Sequence, residues 1–362
     1  MAQEQELSVV EEAEHESKAH DDDNAELTRL GAEDDEKQQE ERSGFDAIRA
    51  AFSTVPVPAQ PLKQGWEIPV IDLSLLHGSN SRRHAVDQIA KACQEWGFFH
   101  VINHGIQEKV IDDMWLAYDV LFRVPPHERA KFDNGPFLPP DIMKILSEKL
   151  HSMPKFGESR DTIRFSKLNP DDEEAIPNTP HGFREPAIVF YRALRDVGFK
   201  LLEAISESLG MESEYIRRAT GNNPCVNSSI HRYLPYHDAN NTMGLNPHQD
   251  IDTLTLLIQS DIAGLQVLKE DRWVEVRPLP GSLVVNVGEV IQAFTNNKYQ
   301  SVMHRAMLNK ENLRSSISCF LLPTPESIIE PLPHLVSAEN PPLRASCTWE
   351  TYYYNHYASL LK

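Results

Sequence analysis

Cysteine is scarce in this 362-residue chain, and its four copies are scattered. Cys93, Cys225, Cys319 and Cys347 form no C-x-x-C pair, which fits free thiols in a reducing compartment. No run approaches the roughly 18 apolar residues of a membrane span, and the N-terminus has neither the positive nor the apolar region of a signal peptide. The body carries no basic stripe, which argues against nucleic acid or an anionic membrane as partner. A cytoplasmic protein is expected. Aromatic residues are missing from the first 42 positions, which hold 16 Asp or Glu against 4 Lys or Arg. That segment therefore carries −12 of the formal −19, and the other 320 residues carry only −7. Its few aliphatic side chains cannot repay the entropy of ordering, so residues 1–44 are expected to be a disordered acidic tail. An acidic docking tail for a basic partner is the functional alternative.

What the chain does have is a long run of short strands in its second half. Thr253 to Ile258 is β-branched and apolar, as a buried strand would be. Gly264–Leu268, Trp273–Val276, Leu283–Val287, Ser301–Arg305 and Arg314–Leu321 follow at even spacing, separated by turns such as Pro278-Leu279-Pro280-Gly281 and Asn296-Asn297. Such spacing argues for an antiparallel barrel or jelly roll. Ahead of it, strands are expected at Ile68–Leu73 and Phe98–Ile102, and helices at Arg82–Trp96, Val110–Arg123 and Pro186–Leu209, with a further helix beginning between Phe45 and Phe52. Residues 134–185 have no clear period, and a last helix is expected over Thr348–Leu361.

Just before the first of these barrel strands stands Asn246-Pro247-His248-Gln249-Asp250. His248 and Asp250 are two apart, so in an extended segment both side chains leave one face, which makes half of a divalent metal site. In a barrel, strands distant in sequence can bring His304 beside them. Arg314 and Ser316 are again two apart and share a face of the last core strand.

His248-x-Asp250, His304 and Arg314-x-Ser316 together resemble the core of the plant-type iron(II)- and 2-oxoglutarate-dependent dioxygenases, a superfamily that includes isopenicillin N synthase. Gly264-Leu265-Gln266-Val267, Asn286-Val287-Gly288, Asn297-Lys298-Tyr299 and, upstream, Trp96-Gly97-Phe98-Phe99 and Asn103-His104-Gly105 match as well. The resemblance implies a mainly β fold with flanking helices around a double-stranded β-helix (jelly-roll) core at 211–345. Residues 45–210 would pack on that barrel as a helical and strand region, and 346–362 would form a C-terminal helix. His104 is taken as a turn residue, and part of 134–185 as a wall over the active site.

The resemblance also implies the chemistry. His248, Asp250 and His304 would hold Fe(II), leaving three open coordination positions. Arg314 and Ser316 would grip the distal carboxylate of 2-oxoglutarate through charge-assisted hydrogen bonds. A zinc hydrolase uses the same ligand types but has no need of Arg314 and Ser316. The expected reaction is hydroxylation or desaturation of a small, mostly apolar metabolite by a monomer using O2, with succinate and CO2 released and ascorbate as reductant. A flavonoid or other phenolic is the first expectation; a gibberellin-like acid or an alkaloid follows. A 2-oxoglutarate-independent oxidase, or a non-catalytic binding protein on the same fold, is the alternative.

Relatives carry Asn-x-Tyr-Pro before the His-x-Asp, whereas Ile230-His231-Arg232-Tyr233-Leu234-Pro235-Tyr236 puts Leu234 at the tyrosine position. Alternation turns Tyr233 away from the face of Leu234. Either one co-substrate contact is lost, or Tyr233 or Tyr236 supplies it through a local bulge. Phe320, four beyond Ser316, is a candidate to stack on substrate, with an ordinary core aromatic as the other reading. Arg164 is a candidate to meet an acidic or phenolic substrate group, with a surface arginine as the other reading.

Overall fold

Eleven strands in chain order build two sheets. They are β1 Val70–Asp72, β2 Phe98–Ile102, β3 Arg160–Leu168, β4 Val226–Tyr233, β5 Met243–His248, β6 Leu254–Gln259, β7 Leu265–Lys269, β8 Arg272–Glu275, β9 Leu283–Val287, β10 His304–Met307 and β11 Arg314–Leu321. This computed structural model describes residues 66–132, 160–178, 180–221, 226–237 and 242–359, all within one unit. The acidic tail, the helix expected from Phe45, the stretch 134–159 of the expected wall and the last residues of the C-terminal helix lie outside the described residues.

The larger sheet has the order β1-β2-β9-β6-β11-β4-β3, antiparallel throughout except for the parallel pair β1 and β2. The smaller has the order β5-β10-β7-β8. From β4 onward the chain crosses repeatedly between the two sheets, and this is the jelly roll. Side chains from both inner faces interdigitate between the sheets: Phe98, Leu257 and Val284 from the larger pack with Leu265, Val267 and Val274 from the smaller. The strands ahead of the barrel are additions to its edges: β1 and β2 extend the larger sheet beyond β9, and β3 extends it beyond β4.

The longer helices α1 Ser79–Glu95, α2 Glu108–Arg123 and α3 Arg184–Ser208 pack together in the layer beside the larger sheet, and the C-terminal α4 Trp349–Ser359 turns Tyr353 and Tyr357 toward the cavity. α3 starts earlier than expected because Pro186 sits in its first turn, where no intrahelical N–H is needed. Its stripe Ile188, Tyr191, Leu194, Val197, Leu201 and Ile205 is buried, and Gly198 lets the helix close on Leu321 and Leu256 of the larger sheet. Arg314–Leu321 and Phe98–Ile102 match their expected bounds; Arg160–Leu168, which has no clear alternation, forms a nine-residue strand through its pairing with β4. Among the described residues, no helix is long and apolar enough to cross a membrane.

Gly97 joins α1 to β2 at a φ of +62°, and a Cβ there would collide with the backbone carbonyl of Gln300. Gly105 has a φ of +84° but open space around it. Left-handed backbone costs an L-residue about 1–2 kcal/mol and overpacking about 1–3 kcal/mol more. Gly105→Ala is therefore expected to cost about 1–2 kcal/mol and Gly97→Ala about 2–5 kcal/mol in urea unfolding. Equal losses would show that the Gln300 contact contributes nothing.

Candidate active site

His248 is the last residue of β5 and His304 the first of β10, and the two are direct partners in the antiparallel register. Their ring centroids lie 4.2 Å apart. Asp250 does not continue the strand as expected. β5 stops at His248, and a turn brings the carboxylate round to the same side. Backbone contacts hold that turn: the Glu289 N–H donates to the Asp250 carbonyl at 2.8 Å, and the Gly288 N–H to that of Thr253 at 3.1 Å. Gly288 is needed for the close approach, since a Cβ would meet the Asp252 carbonyl. Gln249 Nε2 donates to the Ser301 carbonyl at 2.5 Å, tying the turn to the segment that leads into β10.

The three side chains converge. His248 Nε2 and His304 Nε2 lie 3.5 Å and 3.6 Å from Asp250 Oδ1. Each Nδ1 faces a backbone carbonyl, that of Asn246 at 2.7 Å and that of Val302 at 3.1 Å. A carbonyl only accepts, so each Nδ1 carries a proton and donates it, leaving the Nε2 edge for a cation. The other carboxylate oxygen is spoken for: Asp250 Oδ2 accepts from Asn286 Nδ2 at 2.8 Å and from Thr255 Oγ1 at 2.5 Å. Burial pushes the Asp250 carboxyl up, but His304, His248 and the Thr255 hydroxyl outweigh it and hold it below the ordinary carboxylate range. Burial and the neighbouring His248 push His304 down to about 4, so it is neutral at pH 7. Burial works against charge on His248, but Asp250 reverses that and raises it. The proton so favoured stands where a metal would. Two imidazole nitrogens and one carboxylate oxygen, all within 4.8 Å, fit an iron(II) ion on one face.

Arg314 is 1 % exposed, and only its Nη2 is bonded, donating to Gln259 Oε1 at 2.9 Å. Nε and Nη1 are buried without a hydrogen-bond partner. Burial lowers its pKa, but a guanidinium stays charged at neutral pH. Two orphaned donors on a buried cation fit the carboxylate of a bound anion, and Ser316 lies two residues on along the same strand face. Tyr233 shares the cavity with them. β4 runs against β11 from Val226 to Tyr233 without a register shift, so Tyr233 reaches the cavity by plain alternation and not through a bulge. The inward face of β4 is therefore that of Tyr233, with Arg232 turned outward over the Phe122 ring and Leu234 outside the cavity wall. The Arg314 guanidinium lies 5.0 Å from the Tyr233 ring centroid.

A cavity of about 320 Å³ connects these groups, and both Phe320 and Arg164 line it. So do residues that sequence reasoning left aside: Arg160 on β3, and Tyr353 and Tyr357 from α4. Asn286 and Thr255 stood in matched or strand-forming words but gave no sign of holding Asp250; only the fold brings them there. His104 is a turn residue, as expected: its Nδ1 accepts from the Ile106 N–H and its Nε2 donates to the Gly281 carbonyl, both at 3.2 Å, away from the cavity.

Comparison with known proteins gives a consistent picture. The profile of the 2OG-Fe(II) oxygenase superfamily matches residues 225–323, and that of the non-haem dioxygenase in morphine synthesis N-terminal region matches residues 68–184. The chain is 36% identical to Protein DMR6-LIKE OXYGENASE 1 of Arabidopsis thaliana over 277 residues, covering 76% of this chain and 78% of that one. It is 33% identical to Flavanone 3-dioxygenase 2 of Oryza sativa subsp. japonica, covering 79% and 82%. Among solved structures, JOX2 in complex with 2OG, Fe and JA superposes with a TM-score of 0.68 at 26% identity, covering 84% of this chain and 91% of that one.

Thr255→Val keeps the shape of the side chain but removes one of the two donors to Asp250 Oδ2. Loss of such an outer partner typically weakens a metal site about 10- to 100-fold. An anaerobic iron(II) titration is expected to show a loss of that size with the circular dichroism spectrum unchanged. An unaltered affinity would mean that Asn286 alone orients the carboxylate.

Proposed function

The chain belongs to the 2OG-Fe(II) oxygenase superfamily and is a 2-oxoglutarate-dependent dioxygenase of the plant type, and from that premise we propose how its residues divide the work. His248, Asp250 and His304 hold the iron(II) through Nε2, Oδ1 and Nε2. Bound there, iron(II) supplies the redox chemistry by which 2-oxoglutarate and O2 yield succinate, CO2 and an oxidised product. Asn286 and Thr255 restrain the carboxylate so that one oxygen faces the metal. Arg314 receives the distal carboxylate of 2-oxoglutarate on Nε and Nη1, with the Ser316 hydroxyl beside it. Tyr233 flanks that arm in the place that a tyrosine one residue later takes in relatives. Phe98 packs edge-on to the His304 ring at 5.1 Å and, with Leu257 and Leu265, keeps the inner wall apolar and water out.

The substrate is a small, mostly apolar metabolite, hydroxylated or desaturated with its ring against Phe320. The similarity to a flavanone dioxygenase supports a phenolic ring. The observation that carries the whole reading is Arg314, a fully buried guanidinium with two donors unpaired beside a ready metal site. A buried cation in that state is costly unless an anion completes it.

Iron(II)-loaded protein given 2-oxoglutarate and a panel of flavanones, gibberellins and indole acids is expected to release succinate above the uncoupled level with at least one of them. Arg314→Gln is expected to weaken 2-oxoglutarate binding by about 2–5 kcal/mol, at least about thirtyfold, while iron uptake is kept. Unchanged 2-oxoglutarate affinity in that variant would remove Arg314 from the assignment.

A further inference from the structure

Gln259 ends β6 and stands directly opposite Ser316 of β11, so its side chain leaves the sheet on the inward face that carries Arg314. From there its Oε1 accepts from Arg314 Nη2 at 2.9 Å. The amide can face only one way, because its NH2 group turned to the guanidinium would set donor against donor. The chain just past Gln259 stays tied to β11: the Ser260 N–H donates to the Ser315 carbonyl at 2.9 Å, and the Ser315 N–H to Ser260 Oγ at 3.1 Å. Gly264 closes the arginine's other side, where a Cβ would meet Arg314 Cδ at 2.8 Å. The guanidinium is thus held on its stem by Gly264 and at its tip by one amide oxygen.

For folding alone this is a poor arrangement. Among the described residues no carboxylate bonds Arg314, whose Nε and Nη1 have no partner and whose other neighbour is the Tyr233 ring. Gln259 Nε2 is also buried without an acceptor. A glutamate at the same position would carry no such donor. It would also replace a neutral hydrogen bond by a charge-assisted one, roughly twice as strong. Yet a carboxylate there would neutralise the very group that has to receive an anion. A neutral acceptor stops the guanidinium from rotating and leaves its charge in place. The fold gives up stability at this point so that the site stays able to bind.

Building on the dioxygenase reading above, we propose that Gln259 is a positioning residue for the co-substrate, orienting Arg314 toward the distal carboxylate of 2-oxoglutarate while keeping its charge unneutralised. It acts through Arg314 and does not line the cavity itself. The neutrality of its side chain matters as much as its hydrogen bond, and the two are separable. A glutamate keeps the shape and the acceptor but adds a competing charge. A leucine adds no charge but removes the acceptor.

Two measurements on the full chain test this. In the first, 2-oxoglutarate and 2-oxopentanoate, the same five-carbon chain without the distal carboxylate, are titrated calorimetrically into Mn(II)-loaded protein under argon. In the second, the metal-free protein is unfolded in urea. Gln259→Glu is expected to weaken 2-oxoglutarate by at least about thirtyfold, with 2-oxopentanoate unaffected, and to leave the urea midpoint equal or higher. Gln259→Leu is expected to weaken 2-oxoglutarate only about 3- to 10-fold and to lower the midpoint. The two variants thus change places between the measurements, which a residue needed only for folding cannot produce. If they fall in the same order in both, or if Gln259→Glu does not fold, the role of Gln259 is overturned and the dioxygenase reading stands. Unsubstituted protein that takes up no Mn(II), or binds the two acids alike, overturns both.

Discussion

The pairing of β11 between β4 and β6 governs the rest of the cavity. Eight consecutive residues of β11 face eight of β4 without a shift, and six face β6 on the other side. Because side chains alternate with a strict period of two, that register sends Arg314, Ser316, Ser318 and Phe320 inward together and packs Ile317, Cys319 and Leu321 against the helical layer. A slip of one residue would place a guanidinium in the hydrocarbon layer under α3 and an isoleucine in the cavity. Neither is tolerable, so the apolar residues of β11 enforce the placement of its polar ones. The same rows carry the order outward to β3 and to Thr255 and Asn286, which hold Asp250.

Within that frame the metal site is assembled from segments that are weak on their own. β5 is only partly buried and ends at His248, and β10 spans four residues. What makes the constellation rigid is the set of bonds around it: two carbonyls that set the imidazole tautomers, two donors on one carboxylate oxygen, and a turn whose carbonyls accept from the amides of Gly288 and Glu289. Each ligand is oriented before any cation arrives, so binding has little ordering left to do.

This explains what could be read from the chain and what could not. That His248, Asp250 and His304 meet, and that Arg314 and Ser316 share an inward face, was legible because short spacings along a strand survive folding. The helices α1 to α3 were legible from their apolar stripes, with starts off by two or three residues and ends by one at most. Three things were not. The inward face of β4 depends on which residues β11 pairs with, and aligning on Pro235 put Leu234 there in place of Tyr233. β3 has no clear alternation of its own, being a strand because β4 is beside it. Asp250 left the strand because backbone amides far along the chain pull the turn round. Each of these rests on contacts between segments dozens of residues apart, which local spacing cannot report.

The cavity is walled by elements that differ in how many neighbours hold them. His304 begins β10 and Arg314 begins β11, strands paired on both sides, where a change disturbs a neighbour in either direction, while His248 ends β5, an edge strand of the smaller sheet. Arg160 and Arg164 sit on β3, the outermost strand of the larger sheet, and Tyr353 and Tyr357 on the terminal helix α4. An edge strand has one partner, and a terminal helix has chain on one side only. Both can exchange cavity-facing side chains without touching the register that places Arg314. On physical grounds, then, this outer wall of the cavity can vary while the register that fixes Arg314 stays as it is.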